Sequence, residues 1–310
     1  MANVIISGGN GFLGSHLSEK LIKEGFDLTI VDNLSTSKYI QVPNKAKFIK
    51  KSIEKFTTNE KFDFVIHLAA RPSPEDYIKN PLATIDSNDL GTRNMLEIAR
   101  KSDATFMYTS TSEVYGDPKI IPIPETYFGY VNPNGIRSCY DESKRFSEAL
   151  IKAYERQYGL DVRIQRPFNV YGSRIREDGF YGRVIPRFID QALRNQDITV
   201  HGNGRQTRSF LYIDDWIDAT RKFLFNKKGE GKVLNIGNYK EINILNLAKL
   251  IIKLTNSNSR IIHLKPREED PRRRAADITN VKKVLNWEPT VTLEEGLEVT
   301  INWLKNKNKL

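Results

Sequence analysis

The 310-residue sequence predicts an α/β fold in which a doubly wound parallel sheet carries a smaller α/β lobe, and three observations point to it. Short apolar runs of strand length alternate with stretches of helical period. A glycine-rich turn joins the first run to the first helix. The residues best suited to chemistry follow apolar runs at their carboxyl ends. Alternation of this kind builds a parallel sheet with helices on both faces, and such open sheets bind ligands outside the carboxyl ends of their strands.

The first run is Asn3-Val4-Ile5-Ile6-Ser7, followed by Gly8-Gly9-Asn10-Gly11-Phe12-Leu13-Gly14 and a periodic stretch from Ser15 to Gly25. This reads as strand, glycine turn, helix. Glycine permits the tight turn and the close approach of backbone to a pyrophosphate, and the helix start offers unpaired amides to phosphate oxygens. A second run, Leu28 to Val31, ends in Asp32, where a carboxylate can bind the hydroxyls of an adenosine ribose. Taken alone, Asp32 is also an ordinary turn residue before Asn33. With the phosphate loop it completes a Rossmann pattern, and an acid there repels a 2′-phosphate, which favours NAD over NADP. Further strand-like runs are Lys47 to Ile49, Phe64 to Leu68, Thr105 to Thr109 and Val162 to Gln165; helical patterns cover Leu82 to Lys101 and Asp141 to Tyr158.

Chemistry concentrates after the run at Thr105. The segment Thr111-Ser112-Glu113 supplies hydroxyls and a carboxylate, and Tyr140-Asp141-Glu142-Ser143-Lys144 supplies a phenol and an amine one helical turn apart. A Tyr-x-x-x-Lys pair alone is commonly a solvated helix face; the dinucleotide pattern upstream gives this one a use. Free tyrosine titrates at about 10, so a neighbouring ammonium is what lets it act as a base near neutrality. Thr111 can hold the reacting hydroxyl in line. Glu113 exceeds the needs of simple alcohol oxidation and points to a step after it.

The chain is long enough to bury about three-quarters of its unfolded surface and to split into a large and a small lobe. No internal repeat, low-complexity tract, signal peptide or membrane-length apolar run interrupts it, and a soluble cytoplasmic protein is expected. One cysteine, Cys139, excludes an intrachain disulfide framework. His16, His67, His201 and His263 lack metal-ligand spacing, so no metal is expected and structural roles are. The net charge of +10 is spread among acids and the tail Lys305 to Lys309 reads as a solvated end, which argues against nucleic acid as a partner. Arg208 and the triplet Arg272-Arg273-Arg274 remain as candidate clamps on an anionic ligand, although arginine triplets are otherwise common surface charge.

Several strings together resemble the extended short-chain dehydrogenase/reductase family of nucleotide-sugar enzymes: the glycine loop, Asp32, His67-Leu68-Ala69-Ala70, Asn88-Asp89-Leu90-Gly91-Thr92, Tyr140 with Lys144, and Arg166-Pro167-Phe168-Asn169. The longer stretches Ser110 to Pro118, Val131 to Glu142 and Asp270 to Arg274 are most similar to the UDP-glucuronate decarboxylase branch. The resemblance implies NAD bound by Gly8, Gly11, Phe12, Leu13, Gly14, Asp32, Asn33, Leu68, Ala69, Ala70, Asn88, Tyr140, Lys144 and Pro167. It implies a UDP-sugar held by Ser112, Glu113, Asn169, Val184, Arg187, Arg208 and Arg274, with Thr111, Glu113, Tyr140 and Lys144 catalytic. Oxidation at carbon 4 would leave a β-keto acid that loses carbon dioxide without a metal. It further implies an NAD-binding domain over 1–172 plus about 208–239, and a nucleotide-sugar-binding lobe over about 173–207 plus 240–310. Family likeness and the amphipathic helices imply a homodimer through a four-helix bundle and no membrane partner.

Departures keep other activities open. His67 to Pro74 differs from the decarboxylase pattern, and Phe180-Tyr181-Gly182-Arg183-Val184 to Ile189 is similar to the substrate loop of UDP-sugar 4-epimerases, acting on UDP-glucose and UDP-galactose or on UDP-glucuronate. Ser112 stands where 4,6-dehydratases carry aspartate, which leaves that activity less favoured. A non-enzymatic NAD-binding regulator needs the phosphate loop but not the proton relay of Thr111, Tyr140 and Lys144.

Overall fold

The computed structural model describes residues 1–36, 40–175, 183–267 and 271–307. Phe180, Tyr181 and Gly182 of the epimerase-like stretch, and Glu268, Glu269 and Asp270 before the arginine triplet, lie outside the described residues, as do Asn308 and Lys309 of the tail.

By contact the chain divides into two compact units. The first comprises Met1–Val114, Asn132–Arg166 and Ile217–Leu234. Its elements in chain order are β1 (Asn3–Ser7), α1 (Phe12–Lys23), β2 (Asp27–Asp32), β3 (Lys47–Lys50), β4 (Phe64–His67), α2 (Pro74–Lys79), α3 (Pro81–Asn88), α4 (Leu90–Ser102), β5 (Thr105–Thr109), α5 (Ser138–Tyr158) and β6 (Val162–Pro167), whose last residue already falls in the second unit. The sheet order is β3-β2-β1-β4-β5-β6, with the strand Val233–Ile236 beyond β6. Every registered pair among β1 to β6 is parallel. Outside β6, Ile164 N donates to Lys232 O and Phe168 N to Ile236 O, both at 3.0 Å, so partners advance together and the seventh strand is parallel too. The order reverses between β1 and β4, the point at which a doubly wound sheet opens a crevice.

Apolar residues explain these positions. Ile5, Val65, Phe106, Val162 and Ile164 of the strands cluster with Met95, Leu96 and Ala99 of α4 and Ile151 of α5, all buried. Each such side chain contributes roughly 1.5–3 kcal/mol. One expectation needs correction: Leu82 to Lys101 is not one helix but two, interrupted at Asp89, whose backbone (φ −89°, ψ −74°) departs from the helical values. Helical period continues through such a break because both helices bury faces in similar phase, and periodicity alone cannot register it. The seventh strand, Val233–Ile236, is not among the runs read from the sequence.

The second unit comprises Tyr115–Val131, Pro167–Trp216 and Asn235–Leu310. Strand Thr207–Ser209 pairs antiparallel with Glu241–Asn243 and parallel with Arg273–Arg274, and Ile198–His201 pairs parallel with Ile261–Leu264. Helices Val184–Leu193, Ile244–Thr255 and Leu293–Lys307 accompany them. The Asn243 side chain accepts from Asn246 N at 2.7 Å and so caps the second of these helices.

Candidate active site

At the switch point the turn after β1 meets the segment after β4. Gly8 adopts φ +71°, and a Cβ there would lie 2.6 Å from Ala69 N. A Cβ at Gly14 would overlap the Gly8 carbonyl and stand 2.6 Å from Gly9 Cα. Only glycine therefore lets strand, loop and helix close on one another. Gly11 N donates to Gly8 O at 3.1 Å, so the turn aims the opening residues of α1, Phe12, Leu13 and Gly14, at the crevice. Leu68 N donates to Ser7 O at 3.0 Å, which draws the chain toward β1 just before Ala69 and Ala70.

Asp32 closes the same region from the end of β2. Its Oδ2 accepts from Asn10 N at 3.0 Å and its Oδ1 from Leu34 N at 2.8 Å, while Asn33 Oδ1 accepts from Ser35 N at 2.9 Å. Burial raises the Asp32 carboxyl above its ordinary value, and the two backbone donors pull it back. Each oxygen keeps acceptor capacity for a hydroxyl. A second carboxylate acceptor set is what a ribose diol matches and what a 2′-phosphate does not. Asn88, fully buried, gives its amide to Ser143 Oγ at 2.8 Å and leaves Oδ1 without a partner. The glycine cradle and the fixed Asp32 fit a dinucleotide such as NAD.

The chemical residues gather between β5 and α5. Thr111 lies just past the end of β5 and accepts from Glu113 N on Oγ1 at 3.2 Å, with Ser112 buried between them. Tyr140 and Lys144 project from one face of α5 and are both buried, at 4% and 2% exposure. Lys144 Nζ donates to Thr109 O at 2.9 Å and lies 4.5 Å from the centroid of the Tyr108 ring. Burial pulls this lysine down to about 7, with Glu148 working in the opposite sense. Tyr140 stacks on Tyr77, centroids 5.1 Å apart and planes within 4°. Two links thus tie the segments together, Lys144 to the end of β5 and Glu113 to the start of α5, since Glu113 Oε2 pairs with Arg137 and Arg137 Nε lies 3.6 Å from Asp141 Oδ2.

Sequence reasoning assigned no role to Arg137 or Tyr77. Arg137 sits one turn before Tyr140, a spacing that places it near the phenol and was available as a signal. Tyr77 carries no local signal. Its hydroxyl is buried without a hydrogen-bond partner, and burial pushes it above the usual phenol range, with Glu113, Asp141 and Tyr140 adding to the rise and Arg137 opposing it. His67 is structural: Thr92 Oγ1 donates to Asn88 O at 2.5 Å and so accepts from Nε2 at 3.1 Å, leaving Nδ1 to accept from Ser7 Oγ at 2.6 Å. Burial, then the Lys144 charge, hold this imidazole down at about 3.

In the second unit, Arg208 and Arg274 are register partners on neighbouring strands and are both buried. Arg274 donates to Gly116 O at 3.3 Å and Arg208 to Thr207 O at 2.7 Å. Asn169, at φ +39°, gives its side-chain amide to Ser209 O at 2.9 Å beside Arg208, two residues after Pro167. Val184 opens its helix, and Arg187 in the same turn donates to Thr199 O at 3.3 Å. No helix among the described residues is long and apolar enough to cross a membrane.

Comparison with known proteins agrees with this geometry. The sequence model of the NAD dependent epimerase/dehydratase family matches residues 4–237. UDP-glucuronic acid decarboxylase 1 of Xenopus tropicalis is 40% identical over 98% of this chain and 72% of its own length, and UDP-glucuronic acid decarboxylase 5 of Arabidopsis thaliana is 44% identical over 95% and 86%. Among solved structures, a UDP-glucose 4-epimerase of Thermotoga maritima with UDP-glucose superposes with a TM-score of 0.93 at 31% identity, covering 99% of each chain. A UDP-glucuronic acid 4-epimerase of Bacillus cereus in complex with UDP-glucuronic acid and NAD gives 0.87 at 28% identity, covering 98% of this chain and 99% of that one. Family match, relatives aligned over nearly the whole of this chain, strand order and dinucleotide loop converge, and the chain belongs to the NAD-dependent epimerase/dehydratase family.

Proposed function

We propose that this protein is an NAD-dependent carboxy-lyase that converts UDP-glucuronate to UDP-xylose through a 4-keto sugar. The observation that carries the reading is the Glu113–Arg137 pair, with Arg137 one helical turn before Tyr140 and two before Lys144, which sets a carboxylate and a guanidinium beside an alcohol-oxidising pair. An oxidation-only enzyme has no use for it. The decarboxylase relatives, 40% to 44% identical over nearly the whole chain, support the same substrate.

The Gly8 to Gly14 turn, Asp32 and Asn33, the Leu68 to Ala70 segment, Asn88 and Pro167 would hold NAD, which would supply the hydride acceptor and donor at carbon 4. Tyr140 takes the proton of the 4-hydroxyl. Lys144, a cation one turn below, holds Tyr140 as the phenolate that accepts this proton, and Thr111 Oγ1 orients the hydroxyl. The new ketone stands β to the carboxylate and accepts the electron pair as the carbon–carbon bond breaks, so no metal is required. Glu113 then handles the proton at carbon 5 beside the enol, and Arg137 offers the substrate carboxylate a planar partner. Ser112, Asn169, Val184, Arg187, Arg208 and Arg274 are assigned to holding the UDP-sugar; the nucleotide-sugar lobe is read as about 173–207 plus 240–310 and the NAD domain as 1–172 plus about 208–239.

The protein is further read as a cytoplasmic homodimer. Leu82 (74% exposed) and Leu90 (45%) of α3 and α4 and Phe146 (46%) of α5 present apolar surface on helices that would pair with their copies across a two-fold axis. Resemblance to solved UDP-sugar 4-epimerases makes 4-epimerisation the second reading.

Two variants separate the steps. Glu113→Gln should keep NAD binding and substrate-dependent NADH formation while losing most carbon dioxide release; Tyr140→Phe should lose both. Rapid-mixing absorbance together with trapped carbon dioxide reads the difference. Equal damage to both steps in Glu113→Gln contradicts the assignment.

A further inference from the structure

A third side chain continues the row of Tyr140 and Lys144 along α5: Glu148, one turn further on the same face and 9% exposed. Its carboxylate is bound on every side that the structure shows. Oε1 accepts from Ser110 Oγ at 2.5 Å and from Arg166 Nε at 2.9 Å, and Oε2 accepts from Arg166 NH2 at 2.5 Å. Ser110 leads directly into Thr111, and Arg166 ends the second stretch of the first unit. Phenol, ammonium and carboxylate therefore follow one another along one face of α5, and the guanidinium of Arg166 meets the last of them from β6.

The groups around Lys144 make Glu148 the anion that matters there. From β4 comes His67, which is neutral. From β5 come the Tyr108 ring and the Thr109 carbonyl, and from just past its end the Ser110 hydroxyl, none of them charged. From β6 comes Arg166, a cation already engaged by Glu148. From α5 itself come Tyr140 and Glu148. A buried ammonium with one backbone acceptor and no anion tends to shed its proton, because the low-dielectric interior penalises the charged form.

We infer that Glu148 is a positioning residue for the first proton transfer, supplying from the next turn of α5 the counter-charge that keeps Lys144 cationic beneath the Tyr140 phenol. The inference rests on the reading of Tyr140 as the base. It adds to that reading a reason for the Ser110 and Arg166 contacts, which lock the carboxylate at one height on the helix. A purely structural ion pair gains nothing from being placed under a catalytic lysine, since burying such a pair is about neutral for stability compared with apolar packing.

The test is the pH profile of NADH formation in a single turnover of the NAD-loaded protein with UDP-glucuronate, for wild type, Tyr140→Phe and Glu148→Gln. In Glu148→Gln the alkaline limb should move to lower pH by about one unit, the lower end expected for loss of one nearby opposite charge. NAD affinity should stay within about twofold of wild type, since the residue touches no cofactor-binding group. A structural role predicts a rate lowered alike at all pH with the limb unmoved, and that result overturns the proposal. Should Glu148→Gln fail to fold, the double variant Glu148→Met with Arg166→Met removes both charges without stranding either; the limb must still move down, by less than one unit because the more distant Arg166 cation is lost as well, and an unmoved limb there overturns the proposal equally. NADH formation that survives in Tyr140→Phe overturns the proton-transfer reading and this inference with it, whereas its loss there alongside an unmoved limb in the Glu148 variants overturns the role of Glu148 alone.

Discussion

Replacing Lys144 by methionine should stabilise the protein while removing its chemistry. Burial lowers this lysine from 10.5 to about 7, so below about pH 7 the native state keeps a buried ammonium at full cost. Between about 7 and 10.5 the native form has released its proton while the unfolded chain still holds it, and the cost fades as pH rises. Wild-type stability from this group therefore increases with pH through that window. The fall from 10.5 to about 7 corresponds to about 5 kcal/mol at ~1.4 kcal/mol per pH unit. Methionine fills most of the volume but leaves the Thr109 carbonyl without its donor, which takes back roughly 1–2 kcal/mol. Glu148 keeps Ser110 and Arg166 and is not stranded. The net gain is about 3 kcal/mol near neutrality, or about 5 °C in Tm for a chain of this length. Thermal melts of Lys144→Met and wild type at about pH 6 and about pH 10 test this, since the variant should be clearly more stable at the first and no more stable, or slightly less, at the second, where the orphaned carbonyl outweighs what remains of the lysine's cost. Equal shifts at both pH values, or a loss of stability at both, would refute the reasoning, and loss of NADH formation in the same variant is expected throughout.

Two further outcomes follow from the same site and surface. Because Asp32 fixes both carboxylate oxygens on backbone amides at the end of β2, the stripped protein should bind NAD much more tightly than NADP, and Asp32→Ala should shrink that preference by weakening NAD; titration of both cofactors reads it, and equal or tighter NADP binding by wild type contradicts the assignment. The exposed Leu82 and Phe146 should lie in the homodimer contact, so light scattering at micromolar concentration should give a dimer for wild type and a monomer for Leu82→Glu with Phe146→Glu, while a monomeric wild type ends the four-helix proposal.

Local patterns were legible and long-range pairings were not. The run Asn3–Ser7, the glycine turn and Asp32 could be read directly because each follows from backbone geometry over a few residues, and Thr105–Thr109 has the same bounds in sequence and structure. Tyr140 and Lys144 could be read because helical spacing fixes their common face. By contrast Glu113 meets Arg137 across 24 residues, Glu148 meets Arg166 across 18, and Ser7 meets His67 across 60. Those contacts depend on which strand ends the sheet sets side by side, and no local preference of serine, glutamate or arginine announces them. The same holds for Tyr77, whose sequence neighbours describe a short surface-like helix although its ring is 1% exposed and stacked on the proposed base. The break at Asp89 escaped for the opposite reason, since the apolar period continues across it.

The most direct measurement is a product analysis of the NAD-loaded wild-type protein incubated with UDP-glucuronate, following trapped carbon dioxide and the sugar nucleotide together. The account predicts one carbon dioxide for each UDP-xylose formed, with no net accumulation of NADH. Formation of UDP-galacturonate without carbon dioxide, or interconversion of UDP-glucose and UDP-galactose by a protein inert toward UDP-glucuronate, would contradict it and install the 4-epimerase reading in its place.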